Sequence, residues 1–399
     1  MAKTLLRRRN GRRAEVTSVE LFFDLVFVIA VTQISHALLE HMSWRGALEA
    51  ALLLAAIWWA WIDTAWITNW LDPARLPVRL MLFVLMAIGL VITSSLPEAF
   101  GERGLSFALA FAVFQMGRTL FALWAMRHDR GLFVNFERIT IWYAVSAALW
   151  VIGGVAQGDT RLAVWLVALA IDTAGPALGF VVPGLGRADT REWSVDGAHM
   201  AERSGLFVLI ALGESVLATG IGFTGLVWTP EVILAMGASL LQAIAIWSIY
   251  FGEHAERASR TIAHSADPGR LARVAYTYVP ILIVAGIIVS AVGDELTLAH
   301  PSGSSEWATA LILVGGPALF LLGATLFKLA VFGLWPWPRL VGLAILLVLL
   351  AFGTSLSPLL LSLATTLILA SIGIYEQLLL SRLPAASDDV PLVLDEEAR

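Results

Sequence analysis

An all-α protein that crosses the membrane many times is the fold class this sequence predicts, and three observations predict it. Of 399 residues, 58% are hydrophobic and only 14% are charged, where a soluble domain is about one quarter charged. Mean hydropathy is +0.80. Apolar stretches of the roughly 20 residues that a bilayer requires recur from end to end. Turn-forming residues separate them, such as Asp72-Pro73, Gly101 to Gly104, Thr229-Pro230, Pro301 to Gly303 and Pro336 to Pro338. Cysteine is absent, which excludes disulfides and thiolate metal sites.

Twelve spans are predicted on this template, at 18–39, 46–67, 78–97, 105–126, 139–157, 160–182, 203–224, 229–251, 271–293, 307–330, 337–354 and 357–378. The joints at 157–160 and 354–357 are the shortest. Basic residues test the map independently. With the N-terminus inside, only Arg45, Arg103 and Arg161 of the 26 Lys and Arg fall on the outer side, and Arg118 lies within a span. That bias predicts both termini to be cytoplasmic, as the positive-inside rule requires.

The organisation that follows is a basic N-terminal tail at 1–17, a six-helix half at 18–182, a connector at 183–202, a second half at 203–380 and an acidic tail at 381–399 expected to be disordered. Six is an even number, so the second half would enter from the same side as the first, as a parallel repeat. The run Arg7 to Arg13 reads as a topology signal rather than a nucleic-acid surface. The first span carries Asp24 and lacks a small-residue cleavage site, so it is expected to be a retained helix and not a secretory signal.

Charges inside the spans carry what chemistry the sequence offers. In the first span Glu20 and Asp24 are four apart, and Ser35 falls on nearly the same line, so one helix face is polar. A carboxylate in lipid costs about 2.5–3.5 kcal/mol, which turns it toward protein or water. At 1.5 Å per residue, Asp24, Asp63, Arg118 and Arg203 all lie in the cytoplasmic half, while Asp172 and Glu214 lie near the middle. Asp24, Asp63 and Arg118 read equally as an ion-pair lock between helices 1, 2 and 4 or as one end of a polar path. Glu214, whose only nearby base in its own stretch is Arg203, reads as a titrating or cation-binding group or as a hydrogen-bond partner of a neighbouring helix. Trp58, Trp59, Trp61, Trp66 and Trp70 are expected to form an interfacial belt. No metal, nucleophile or phosphate-loop pattern is present, so neither cofactor, metal nor enzymatic activity is expected.

Several stretches together resemble the bacterial low temperature requirement A (LtrA) family. They are Val16–Val28 (VTSVELFFDLVFV), with Glu20, Phe22, Phe23 and Asp24; Gln115–Arg118; His199–Ser215 (HMAERSGLFVLIALGES); Ile249–Glu256 and Ala275–Gly286. Two positions depart from the pattern: Gly252 stands where Asp is usual, and Pro280 where His often follows the Tyr pair. The resemblance implies an association with growth in the cold and no established biochemistry. A more distant likeness links Phe22–Thr32 to the first helix of the endosomal and lysosomal potassium-channel family, and implies that Asp24, Val28, Val31 and Ser35 face a pore.

The function expected from these readings is movement of an ion or small solute across the bacterial inner membrane, along a path lined by helices 1 and 7. The alternative is a non-transporting scaffold or cold-stress accessory protein whose charges only pin helices. The partners expected are the lipid bilayer and an ion or small solute, with no nucleic acid; a homo-oligomer is compatible with either reading.

Overall fold

A computed structural model describes the chain apart from residues 1–3, 8–14, 191–192, 194, 253–260, 263–264, 266 and 381–399. Most of the basic run, part of the loop after span 8 and the acidic tail lie outside the described residues. The described residues form no strand, only isolated bridges between Leu6 and Leu71 and between Val182 and Gly186.

The helices run α1 (Ser18–Glu40), α2 (Trp44–Trp70), α3 (Leu76–Ser95), α4 (Gly104–Ala125), α5 (Arg130–Val155), α6 (Gly158–Ala177), α7 (Gly197–Thr224) and α8 (Pro230–Phe251). After them come α9 (Pro268–Ala299), α10 (Trp307–Phe332), α11 (Trp337–Ala351) and α12 (Pro358–Leu380). Each predicted span is therefore helical. Ten of these helices are long and apolar enough to cross a membrane. α6 falls short because Asp159, Arg161 and Asp172 interrupt its apolar run, and α11 because it has only 15 residues.

Caps explain why several helices start earlier than their apolar runs. The Asp129 carboxylate accepts from Leu132 N at 3.0 Å and opens α5 at Arg130. Asp196 accepts from the amides of Ala198 and His199 at 3.1 Å and opens α7 at Gly197. Each cap satisfies amide groups that the first turn leaves unpaired. α9 contains a π turn at Arg273–Tyr278 and continues past Asp294 to Ala299.

The outward faces are apolar. On α1, Leu21, Phe22, Leu25 and Ile29 are exposed, while Phe23, Asp24, Phe27 and Val31 are buried. An apolar surface around a packed interior suits a lipid solvent. α2 lies at the centre, with every side chain from Leu52 to Trp70 buried except Ala55 and Asp63.

Trp58, Trp59, Trp61, Trp66 and Trp70 of α2 are consequently not an interfacial belt. All five are buried, and four use their indole N–H groups inside the protein: Trp58 to Thr277 O, Trp59 to Asp172 O, Trp61 to Asp24 and Trp66 to the Thr277 hydroxyl. Trp70 packs edge-on against Phe136 and Trp193. A run of large rings on the most enclosed helix fills the core, and each buried N–H needs an acceptor there.

Several contacts among the first six helices recur among the last six. α1 packs on α2 and α3, α3 on α4, α4 on α5, α5 on α6 and α2 on α6. Likewise α7 packs on α8 and α9, α9 on α10, α10 on α11, α11 on α12 and α8 on α12. Between the two sets, α1 and α2 meet α7 and α9. α9 and α10 are antiparallel and closely apposed through small residues, with Gly286 against Phe320, Gly316 against Ser290 and Gly323 against Ile283. Small residues at such spacing let two helices in lipid approach closely.

Candidate functional site

Three contacts define the line where α1 meets α7: Glu20 with His199, Asp24 with Arg203 and Thr32 with Glu214. The residue numbers rise together on both helices, so the two run parallel. This seam gathers Glu20, Asp24 and Thr32 of α1 with His199, Arg203 and Glu214 of α7.

At its start, Glu20 is fully buried and saturated. Its carboxylate accepts from the Thr17 amide and hydroxyl, both at 2.9 Å, from Arg7 at 3.1 Å and from His199 Nε2 at 2.8 Å. Asn69 donates to His199 Nδ1 at 3.2 Å, a network that makes Nε2 the donor toward Glu20. Arg7 also donates to Thr68 O at 2.7 Å, and its own amide to Trp70 O. The N-terminal segment is thus tied to α1, α2 and α7 at once. Arg7 belonged in sequence to the topology signal; its second role follows from the rule that a buried acid needs a base.

One turn along, Asp24 accepts from Arg203 and from Trp61 Nε1, both at 2.8 Å through the same oxygen. The Arg203 guanidinium lies 5.5 Å from the Trp61 ring centre. Asp63 and Arg118 form a separate pair at 2.9 Å between α2 and α4. Tyr143 OH donates to the same Asp63 oxygen at 2.5 Å, and Arg118 also donates to Ala60 O. The expected lock of helices 1, 2 and 4 through Asp24, Asp63 and Arg118 is accordingly two locks, α1–α7 and α2–α4. Similar depth put the three residues in one layer, but helix rotation turns Asp24 toward Arg203.

Two predicted acids have no basic partner among the described residues. Asp172, fully buried, accepts from Gln115 at 2.8 Å and from Trp150 Nε1 at 2.9 Å. Glu214, also buried, meets the Thr32 hydroxyl at 2.5 Å. Arg203, Glu214's only nearby base in sequence, is committed to Asp24. Ser35 is buried on the same face of α1 as Asp24, and Phe23 beside it packs against Phe27 and Phe114. Phe22 points outward against Phe83.

Two further acids lie toward helix ends. Glu376 on α12 receives Arg339 through two bonds of 2.9 and 2.8 Å, with Lys328 at 3.4 Å. Asp294 on α9 is buried and accepts from Ser215 at 3.2 Å. Tyr143 and Trp150 were missed because a neutral donor in an apolar run carries no signal until its acceptor is known. Among the described residues, no group of three or more His, Asp or Glu is placed to hold a metal ion.

A helical assembly with apolar outer faces and acids kept inside is a multi-pass integral membrane protein. The sequence model of the bacterial low temperature requirement A protein (LtrA) matches residues 15–374. The chain belongs to the LtrA family. It is 39% identical over 342 residues to an uncharacterised protein of Rhizobium meliloti (strain 1021), covering 86% of this chain and 84% of that one. No solved structure matches the chain.

Proposed function

We propose that this protein moves an ion or small solute across the bacterial inner membrane, along the seam between α1 and α7. The observation that carries the reading is the contrast along that seam. Glu20 and Asp24 are matched by bases, whereas Glu214, further along, meets only a hydroxyl. Ionisable groups buried in a membrane without a fixed counter-charge mark ion and proton paths. Asp172 is a second acid of this kind.

Helix direction is compatible with the twelve-span, two-half arrangement, and the distribution of Lys and Arg favours cytoplasmic termini. α1 and α7 run parallel, the direction expected if α1 through α6 make an even number of crossings with α6 among them. α8 and α12 also run parallel, since Gln242 meets Thr365 while Ser248 lies against Gly373. That direction is likewise the one expected if α11 is a span. The reading is of a non-enzymatic bilayer protein, acting singly or as a homo-oligomer, with no nucleic-acid partner.

Reconstitution in liposomes with a panel of ions and solutes tests it. Glu214→Gln is expected to abolish any flux the wild type supports; wild-type flux indistinguishable from that of the variant, or absent throughout, defeats the proposal. The second reading, a non-transporting scaffold, draws on the Asp24–Arg203 and Asp63–Arg118 pairs, which pin helices without needing a path. It expects no flux under any condition.

A further inference from the structure

Asp294 lies at a junction of α7, α8 and α9 that the transport reading does not use. Its carboxyl accepts from the Ser215 hydroxyl of α7 at 3.2 Å, and the Ser239 hydroxyl of α8 lies beside the same group. Ser215, Thr219 and Gly222 share one face of α7 at spacings of four and three. That face is turned to α9 at both ends, through Ser215 on Asp294 and through Gly222, where an added methyl group would lie 3.8 Å from Leu298. Thr219 between them therefore faces the same stretch of α9. It is 7% exposed, and its hydroxyl has no hydrogen-bond partner. The hydroxyls of Ser239 and Thr297, by contrast, donate back to carbonyls of their own helices at 3.1 and 2.8 Å.

An idle hydroxyl in so dry a place is costly, and a carboxylate without a counter-charge costs more. Both costs are relieved by one guest, a cation that accepts oxygen lone pairs. We propose that Asp294, Ser215, Thr219 and Ser239 form a binding site for a monovalent alkali cation. The donors are all hard oxygens, which suit such ions. One carboxylate matches one positive charge, and the neighbouring acid Glu214 points the other way, to Thr32 on α1. Among the described residues, no cluster of three or more acids or histidines stands here to favour a divalent ion.

The site is independent of whether the protein transports, and its test reads binding alone. Purified protein in detergent is unfolded by heat in sodium, potassium or choline chloride at matched ionic strength. The wild-type midpoint is expected to climb with the logarithm of sodium or potassium concentration above its value in choline. Asp294→Asn is expected to lose that climb, and Thr219→Val to need at least tenfold more salt for the same shift. Coincident wild-type curves in all three salts overturn the proposal, leaving Asp294 a protonated hydrogen-bond partner. A full response in Asp294→Asn overturns it as well. If that variant does not fold, Ser215→Ala and Thr219→Val decide: an unshifted response in both overturns the site.

Discussion

Asp24 and Arg203 are 179 positions apart in the chain and 2.8 Å apart in space. The pair is buried but not saturated: the second Asp24 oxygen and the Nε and Nη1 atoms of Arg203 have no hydrogen-bond partner. Such a pair fixes which helices meet rather than adding much net stability, because desolvation offsets most of the attraction.

Breaking it from one side is therefore expected to be costly. Arg203→Ala leaves Asp24 buried without its base and should lower unfolding free energy in detergent by about 3–5 kcal/mol. Asp24→Asn on that background should recover much of the loss. Replacing both residues by Leu and Met should give a protein about as stable as wild type.

Arg118 and Asp63 should behave as a second, separate unit. Arg118→Ala is expected to destabilise by a similar amount and to be rescued by Asp63→Asn, not by Asp24→Asn. Double-mutant cycles on denaturant unfolding would show coupling within each pair and near-additivity between pairs.

The π turn in α9 offers a third test. Trp58 donates to Thr277 O at 2.7 Å and Trp66 to the Thr277 hydroxyl at 2.8 Å. Trp58→Phe keeps a large ring and removes the donor to a buried carbonyl, so a loss of about 1–3 kcal/mol is expected. Trp66→Phe should cost less, since a hydroxyl can turn to another acceptor. Thermal midpoints of the two variants give the ranking.

Glycines on α10 and α9 divide by what surrounds them. A methyl group on Gly286 would strike the backbone of Phe320, which can yield only if the two helices part. Gly315, next to the packed Gly316, has open space around it. Gly286→Ala should therefore destabilise by about 1–3 kcal/mol, as overpacking does, whereas Gly315→Ala should be neutral or slightly stabilising through helix propensity.

Helix positions were readable from sequence because crossing a bilayer imposes both length and composition, and all twelve predicted stretches are helical. Partners were less readable. Depth along a span follows from counting residues, but rotation about the helix axis and the choice of neighbour come from packing. Arg118 thus looked a natural partner for Asp24, while the true partner stood at the same depth on a helix far along the chain. The tryptophans of α2 misled for a related reason: aromatic rings suit both interface and core, and only the neighbours of α2 decide. Among the described residues Glu214 meets no base, and its contact with Thr32 rests on a residue that looks like any threonine in a span.

The Asp24–Arg203 contact also has a consequence for biosynthesis. Ribosomes add roughly 5–20 residues per second, so the 179 positions separating the two take about 9–36 s to emerge. Throughout that interval α1 carries a carboxylate whose base has not yet been made, and Glu20 waits equally long for His199. α1 cannot reach its final electrostatic state until α7 arrives.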